Sequence, residues 1–93
     1  MSLGTILFST AAWAASGAAL FVQKCGVCHT RGGQASPVNP ADKAGLVWEK
    51  YFKRGRHPVE FAQTSEAELE AVIDYLKEHA ADSDQPVAAA IPK

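Results

Sequence analysis

Two cysteines separated by two residues and followed at once by a histidine constrain this chain more than any other feature: Cys25, Cys28 and His29. This spacing is the signal for covalent attachment of a c-type haem. Two thiols one short turn apart can form thioethers with the two vinyl groups of one porphyrin, and the next residue then directs an imidazole at the iron. The motif therefore predicts one haem c, held by Cys25 and Cys28, with His29 as an iron ligand.

Two other uses of the cysteine pair are open. A thioredoxin-like redox pair has the same spacing, but it belongs beside a βαβ pattern, which this sequence lacks. A zinc site takes four ligands, and without a second cysteine pair it would have to recruit His57 or His79. The histidine directly after the second cysteine favours haem attachment over both alternatives.

A bound haem would also supply stability that a chain of this length lacks. The sequence has 93 residues, enough for one small domain. Chains of this size bury little apolar surface, and many depend on disulfides, metals or oligomerisation. A large and mostly apolar haem at the centre of the core would meet that need.

Charge is divided unevenly along the sequence. The formal net charge of −1 argues against a nucleic-acid-binding protein. Residues 15–59 carry seven basic and two acidic side chains, a net charge of +5, whereas residues 60–93 carry eight acidic and two basic ones, a net charge of −6. The sequence predicts a dipolar molecule whose basic segment steers a redox partner, although chance blocks of charge on a solvated surface are an equally simple interpretation.

Residues 1–14 are typical of a secretory signal peptide. They contain no charged side chain, and their apolar run ends at Ala12-Trp13-Ala14, which fits cleavage after Ala14. The run is too short to span a bilayer as a helix, and it lacks the usual Lys or Arg at its start. We expect an exported, periplasmic protein without stable membrane insertion once this segment is removed.

The residues before the haem motif predict a helix. From Ser16 to Cys28 the apolar positions follow helical spacing, with Ser16 as the N-cap. Gly17, Phe21 and Cys25 share one stripe of this helix, so a second helix can approach closely at the glycine. The glycine-rich stretch 30–38 after the motif predicts a loop around the proximal side of the haem.

A second helix is predicted to begin at Asn39-Pro40-Ala41-Asp42 and to end before Gly55 as the C′ residue. Val47, Trp48, Tyr51 and Phe52 lie on one side of it. We expect Trp48, Tyr51 and Phe52 to lie in the core and to pack on the haem. An alternative is that Trp48 or Arg54 binds a haem propionate.

A third helix is predicted after a capping box at Ser65 to Glu68, with an apolar stripe that ends at Ala80. No strand pattern or internal repeat is visible. We therefore expect an all-α domain over residues 15–80. The tail, residues 81–93, is predicted to be irregular, and mobile unless it packs back on the domain.

Together these patterns resemble the class I (cytochrome c-like) monohaem cytochromes. In that family an N-terminal helix with G-x-x-x-F-x-x-x-C-x-x-C-H crosses a C-terminal helix of the L-I-A-Y-L-K type. The matching residues here are Gly17, Phe21, Cys25, Cys28 and His29, and Val72-Ile73-Asp74-Tyr75-Leu76-Lys77. The resemblance implies that the two helices cross around a covalent haem, and that a proline supports the proximal histidine through its backbone carbonyl. Pro37 is the candidate and Pro40 the alternative.

The chain departs from this family at the sixth iron ligand. The family usually supplies a methionine from the loop before the C-terminal helix, but the only methionine here is Met1. His57, followed by Pro58, stands where Met-Pro is expected, so we predict bis-histidine ligation by His29 and His57. His79 is the rival, and a lysine, an open site or a ligand from another chain are further alternatives.

The resulting expectation is an exported one-electron carrier of lowered potential, not an enzyme, because no nucleophile or acid/base pair surrounds the motif. Its partners would be redox proteins that meet its basic segment. One alternative is a haem module with an open or displaceable sixth site that binds gases. Another is one haem station in a larger assembly, since the sequence leaves the oligomeric state open.

Overall fold

The computed structural model describes residues 16–57 and 64–93, and the predicted signal peptide lies outside them. Apart from one isolated bridge between His29 and Ala35, this part of the chain contains no β-structure. The predicted all-α fold is confirmed. In chain order the helical elements are α1 (Gly17–Leu20), a π-helical segment (Phe21–Cys25), a 3-10 turn (Pro40–Asp42), α2 (Gly45–Lys53) and α3 (Glu66–Glu78).

Helices α1 and α3 cross in close backbone contact. A Cβ atom at Gly17 would lie 2.3 Å from the carbonyl oxygen of Ala71 and 2.9 Å from Cβ of Tyr75, so only glycine permits this approach. Phe21 is 1% exposed, and its ring centre lies 5.6 Å from that of Tyr75. The predicted role of Gly17 and Phe21 at a helix contact is therefore confirmed.

The helix before the haem motif is less regular than its sequence pattern. The side chain of Ser16 caps α1 as predicted, accepting a hydrogen bond of 3.1 Å from the backbone of Ala19. After Leu20 the chain continues as a π-helical segment that ends at Cys25. Such segments are short insertions in α-helices and are frequent at functional sites. Here the insertion leads directly into the cysteine motif.

Helix α2 begins later than its sequence predicts. Asn39 caps only the 3-10 turn Pro40–Asp42, and the backbone at Lys43 is extended, with φ −143° and ψ 159°. The C-terminal tail explains the interruption. The carbonyl of Lys43 accepts a hydrogen bond of 3.0 Å from Ala81, and the backbone N–H of Gly45 donates one of 3.0 Å to Oδ1 of Asp82. These tertiary bonds replace the helical bonds that the cap pattern predicts.

Helix α3 follows its sequence signals closely. The capping box is present, because Ser65 Oγ accepts from the backbone N–H of Glu68 and Glu68 Oε1 accepts from that of Ser65. Val72 and Leu76 are buried on the predicted apolar stripe. An ion pair between Lys77 and Glu49 joins α3 to α2, and this hydrogen bond from the ammonium group lowers the pKa of the Glu49 carboxyl.

The tail packs back on the helices. Its backbone is irregular, as predicted, but Ile91 is 3% exposed and belongs to the core. The backbone N–H of Val87 donates to the carbonyl of His79, and the carbonyl of Val87 accepts from Ala41. Residues beyond Ala80 therefore complete the folded body.

One apolar cluster forms the core of the part that the structure describes. Its fully buried members come from all three helices, the π-helical segment and the tail: Leu20, Phe21, Trp48, Val72, Leu76, Ala80 and Ile91. Val47, expected on the apolar side of α2, is 49% exposed. No helix among the described residues has the length and apolar character needed to cross a membrane.

Candidate haem site

A tight turn holds the cysteine motif together. The carbonyl of Cys25, at the end of the π-helical segment, accepts backbone hydrogen bonds from Cys28 at 3.2 Å and from His29 at 2.9 Å. Both cysteines are half-buried and form no disulfide. The sequence motif thus presents two thiols and one imidazole within a single turn, as attachment to one porphyrin requires.

The environment of Cys25 fits attachment to an apolar group. Burial, and to a lesser extent the neighbouring Cys28, raises the pKa of the Cys25 thiol to about 11. Catalytic redox thiols have the opposite property, since their pKa is lowered so that the thiolate is available. The structure therefore gives no support to the thioredoxin-like alternative.

His29 is oriented by a backbone hydrogen bond. Its Nδ1 atom lies 2.8 Å from the carbonyl oxygen of Ser36. Because a carbonyl can only accept, Nδ1 carries the proton, and Nε2 is left as the atom that can bind a metal. A carbonyl acceptor on the far nitrogen is the common way in which metal-binding histidines are held and made more basic.

The carbonyl that supports His29 comes from a different residue than expected. Pro37 was the candidate, but the acceptor is Ser36, the residue before it. The chain makes a short bridge between His29 and Ala35, so the next carbonyl is the one that reaches the ring. The alternative, Pro40, is also wrong, since its carbonyl accepts a hydrogen bond of 2.8 Å from the indole of Trp48.

His57 is placed by the end of helix α2. Gly55 has a φ of 62°, and its backbone N–H donates to Phe52 while that of Arg56 donates to Tyr51. This pair of bonds is a Schellman motif, which ends a helix and reverses the chain direction. The reversal places His57 with its ring edge-on to that of Tyr51, at 6.4 Å between ring centres.

The structure brings the two predicted iron ligands together. The ring centres of His29 and His57 lie 6.2 Å apart, with an angle of 58° between the ring planes. If a haem were bound beside Cys25 and Cys28, His29 and His57 are the two imidazoles that would be close enough to hold its iron. The donor set and spacing therefore fit a bis-histidine haem.

His79 lies against the tail instead. Its Nδ1 atom is 2.7 Å from the carbonyl oxygen of Gln85, and its ring centre is 5.0 Å from that of Tyr75. The zinc alternative would need His79 or His57 beside the cysteines. Within residues 16–57 and 64–93, no three His, Cys, Asp or Glu side chains gather where they could hold a metal ion.

The aromatic side chains of α2 divide between the core and the site. Trp48 is 4% exposed, and its only hydrogen-bond donor is used by Pro40, so the structure does not support its alternative role with a propionate. Phe52 is half-buried and stacks on Trp48 at 6.4 Å between ring centres. Contact of Trp48 and Phe52 with the haem, and a propionate role for Arg54, stay predictions.

Three residues near the site make contacts that the sequence did not predict. They are Ser36, which holds His29; Tyr51, which flanks His57; and Gln34, whose Oε1 lies 3.5 Å from Sγ of Cys28. Tyr51 was expected in the core and packed on the haem, but its contact with His57 was not predicted. The sequence offers no local signal for Gln34, because its contact depends on the path of the loop.

The fold and the paired histidines beside a cysteine motif define a small c-type cytochrome domain. Residues 12–76 match the family described as cytochrome C oxidase, cbb3-type, subunit III, and the chain belongs to this family. Membership supports the resemblance to class I c-type cytochromes and implies a haem c cofactor. No curated protein and no solved structure shows a significant match to the chain.

Proposed function

We propose that this chain is an exported one-electron carrier with a single haem c, bound covalently through Cys25 and Cys28 and ligated by His29 and His57. The 6.2 Å spacing between the two imidazoles carries this proposal. Family membership supports haem-based electron transfer in general, and the spacing adds the particular ligand pair.

Each residue has a defined part in this proposal. A bound haem supplies one iron that alternates between the ferric and ferrous states. The Nδ1–H group of His29 donates a hydrogen bond to the backbone carbonyl of Ser36. This hydrogen bond makes Nε2, the nitrogen that faces the metal, a stronger electron donor. His57 occupies the position where methionine would raise the potential, so we expect a lower potential than in His/Met cytochromes.

Optical spectra of the oxidised and reduced protein, with and without carbon monoxide, test the proposal. We expect a low-spin ferric spectrum without the charge-transfer band of methionine sulfur, and little carbon monoxide binding at neutral pH. His57→Ala should lose the low-spin spectrum and bind carbon monoxide. The matched control is His79→Ala, which should retain the wild-type spectra because His79 contacts the tail.

Two outcomes would contradict the ligand assignment. An unchanged spectrum in His57→Ala would exclude His57 as the sixth ligand. Tight binding of carbon monoxide by the reduced wild-type protein would instead favour a gas-binding module with a displaceable sixth site.

A second candidate function follows from the family description, which names a subunit of an oxidase. On this alternative the chain is one haem-carrying subunit that passes electrons within a larger complex. The size of the purified haem protein in solution, by light scattering, separates the two: a freely diffusing carrier is a monomer, whereas such a subunit copurifies with other chains.

The distribution of charge supports redox proteins as partners. All seven basic side chains of residues 15–59 are exposed, among them Lys53, Arg54 and Arg56 immediately before His57. A concentration of positive charge beside the distal ligand can guide an acidic partner toward that side. Periplasmic location is part of the proposal, because c-type cytochrome domains are generally exported.

A further inference from the structure

The buried side chain of Asn39 connects the C-terminal tail to the loop that holds His29. Asn39 is completely buried. Its Nδ2 donates a hydrogen bond of 2.9 Å to the carbonyl of Ile91, and its Oδ1 accepts one of 2.7 Å from the backbone N–H of Ile91. One amide side chain thus pairs with both backbone groups of a residue 52 positions away. We call this pair of bonds the tail clamp.

The segment between the tail clamp and His29 is short and stiff. Only Pro37 and Val38 separate Asn39 from Ser36, the residue whose carbonyl lies 2.8 Å from Nδ1 of His29. Ser36 and Asn39 both precede a proline, which disfavours the helical conformation at each. With so few free torsions, the position of Asn39 constrains where the Ser36 carbonyl points.

Other contacts fix the same end of the segment. The backbone N–H of Asn39 donates to Oδ2 of Asp42 at 2.8 Å, and the carbonyl of Pro40 accepts from the buried indole of Trp48 at 2.8 Å. These bonds tie Asn39 to the 3-10 turn and to α2. The tail clamp adds the direct connection between Asn39 and Ile91, while Val87 and Lys93 of the tail contact Ala41 and Asp42 of the 3-10 turn.

The tail also borders the loop on its open side. A cavity of about 530 Å³ is lined by residues 30–37 and by Lys93, two residues beyond Ile91. Lys93 lies 3.7 Å from Asp42, an exposed ion pair. The family match ends at residue 76, so the tail half of this arrangement lies outside the matched residues.

We propose that Asn39 is a positioning residue for electron transfer: by clamping the tail, it holds the Ser36 carbonyl on His29 and so sets the electron donation of the proximal imidazole. This inference rests on the proposed haem ligation by His29. A well-held acceptor makes the imidazole a better donor and favours ferric iron. Loosening the tail clamp weakens that acceptor and favours the ferrous state.

The test compares Asn39→Ala with Ile91→Ala in the haem-loaded protein. Asn39→Ala removes both bonds of the tail clamp. Ile91→Ala removes a buried side chain but keeps the backbone groups that Asn39 binds, so it controls for general loss of stability. In Asn39→Ala we expect the ratio of reduced to oxidised protein at a fixed ambient potential to rise about threefold, and the Nδ1 proton of His29 to exchange about tenfold faster. Ile91→Ala should leave the ratio unchanged.

The inference is overturned if the ratio of reduced to oxidised protein rises equally in both variants, or if it does not rise in Asn39→Ala. If Asn39→Ala does not assemble, hydrogen exchange in the reduced wild-type protein decides. The amide proton of Ile91 and the ring proton of His29 should then respond to denaturant in parallel; exchange of the His29 proton while Ile91 stays protected also overturns it. If the wild-type protein does not bind haem, the proposed function is contradicted. If haem-loaded Asn39→Ala has the wild-type ratio of reduced to oxidised protein, only the positioning role of Asn39 is contradicted.

Discussion

The two candidate iron ligands are held in different ways. In the proximal region, residues 25–37, the His29 ring is fixed by the carbonyl of Ser36, on a loop whose far end is clamped to Ile91 of the tail. In the distal region, residues 51–57, His57 is placed by the turn that ends α2 and by the edge of Tyr51. The contacts that orient the proximal ligand therefore reach the far end of the chain, whereas the contacts described for the distal one lie at the end of α2.

This difference predicts that the two ligands are displaced with unequal ease. A ligand oriented through long-range contacts keeps its geometry as long as the protein is folded. A ligand at the end of a helix can move when that end opens locally, and local opening costs less than global unfolding. The distal side is thus where exchange of the sixth ligand should occur, and substitutions can separate the two regions.

The largest effect is expected at the crossing of α1 and α3, which anchors the proximal region. Gly17→Ala places a Cβ 2.3 Å from the Ala71 carbonyl, a backbone atom that cannot rotate away. We expect a loss of about 1–3 kcal/mol in the free energy of unfolding, measured by denaturant titration. The matched control is Gly45→Ala, where the nearest atom, the carbonyl oxygen of Lys77, is 3.6 Å away.

Both variants remove one glycine from the unfolded chain. The difference between their free energies of unfolding therefore measures the cost of the steric clash at position 17. Equal stability of the two proteins would contradict the close approach of α1 to α3.

Two glycines with positive φ provide a smaller and more selective comparison. Gly55, with φ 62°, lies in the distal turn, and Gly32, with φ 77°, lies in the proximal loop; a Cβ at either would meet no atom within 4 Å. Alanine at either position should cost about 1 kcal/mol of backbone strain. We expect Gly55→Ala to speed carbon monoxide binding to the reduced protein about fivefold, because the turn that holds His57 opens more often.

Gly32→Ala should lower the free energy of unfolding by a similar amount but should leave the rate of carbon monoxide binding unchanged. Equal acceleration in both variants would mean that general loosening, and not the distal turn, controls access to the iron.

The smallest effect concerns charge beside the two regions. Arg56 is exposed next to the distal ligand, whereas Arg31 is exposed on the proximal loop. With the anionic oxidant hexacyanoferrate(III), Arg56→Gln should slow oxidation of the reduced protein by roughly two- to threefold at low ionic strength, and Arg31→Gln should slow it less. Stopped-flow traces at rising salt provide the check, because screening should remove the difference. A larger effect of Arg31→Gln would place electron exit on the proximal side.

Much of the helical framework was predictable from short sequence patterns. Ser65 with Glu68 forms a capping box, Gly55 ends α2 with a positive φ, and Gly17 with Phe21 forms a helix contact. Each of these signals lies within a few residues of the structure that it specifies. Local caps and turns satisfy backbone groups that every helix end leaves open, so their residue preferences are strong.

The site itself was predicted in part. The cysteine motif identified His29, and the missing methionine pointed to His57, which the structure places 6.2 Å from His29 between ring centres. The supporting carbonyl was expected at Pro37 and lies at Ser36. A shift of one residue along a loop depends on the bridge between His29 and Ala35, which has no local sequence signal.

By itself, the sequence determined the haem motif, the caps of α1 and α3, the end of α2 and the ligand candidates, because each depends on residues close together in the chain. Only the tertiary structure decided how these parts meet. Asn39 begins a 3-10 turn as its pattern predicts, but α2 begins only at Gly45, and the amide group of Asn39 binds Ile91, 52 residues away. No local preference can specify such a partner, because the choice depends on which buried backbone groups remain to be satisfied after the whole chain has packed.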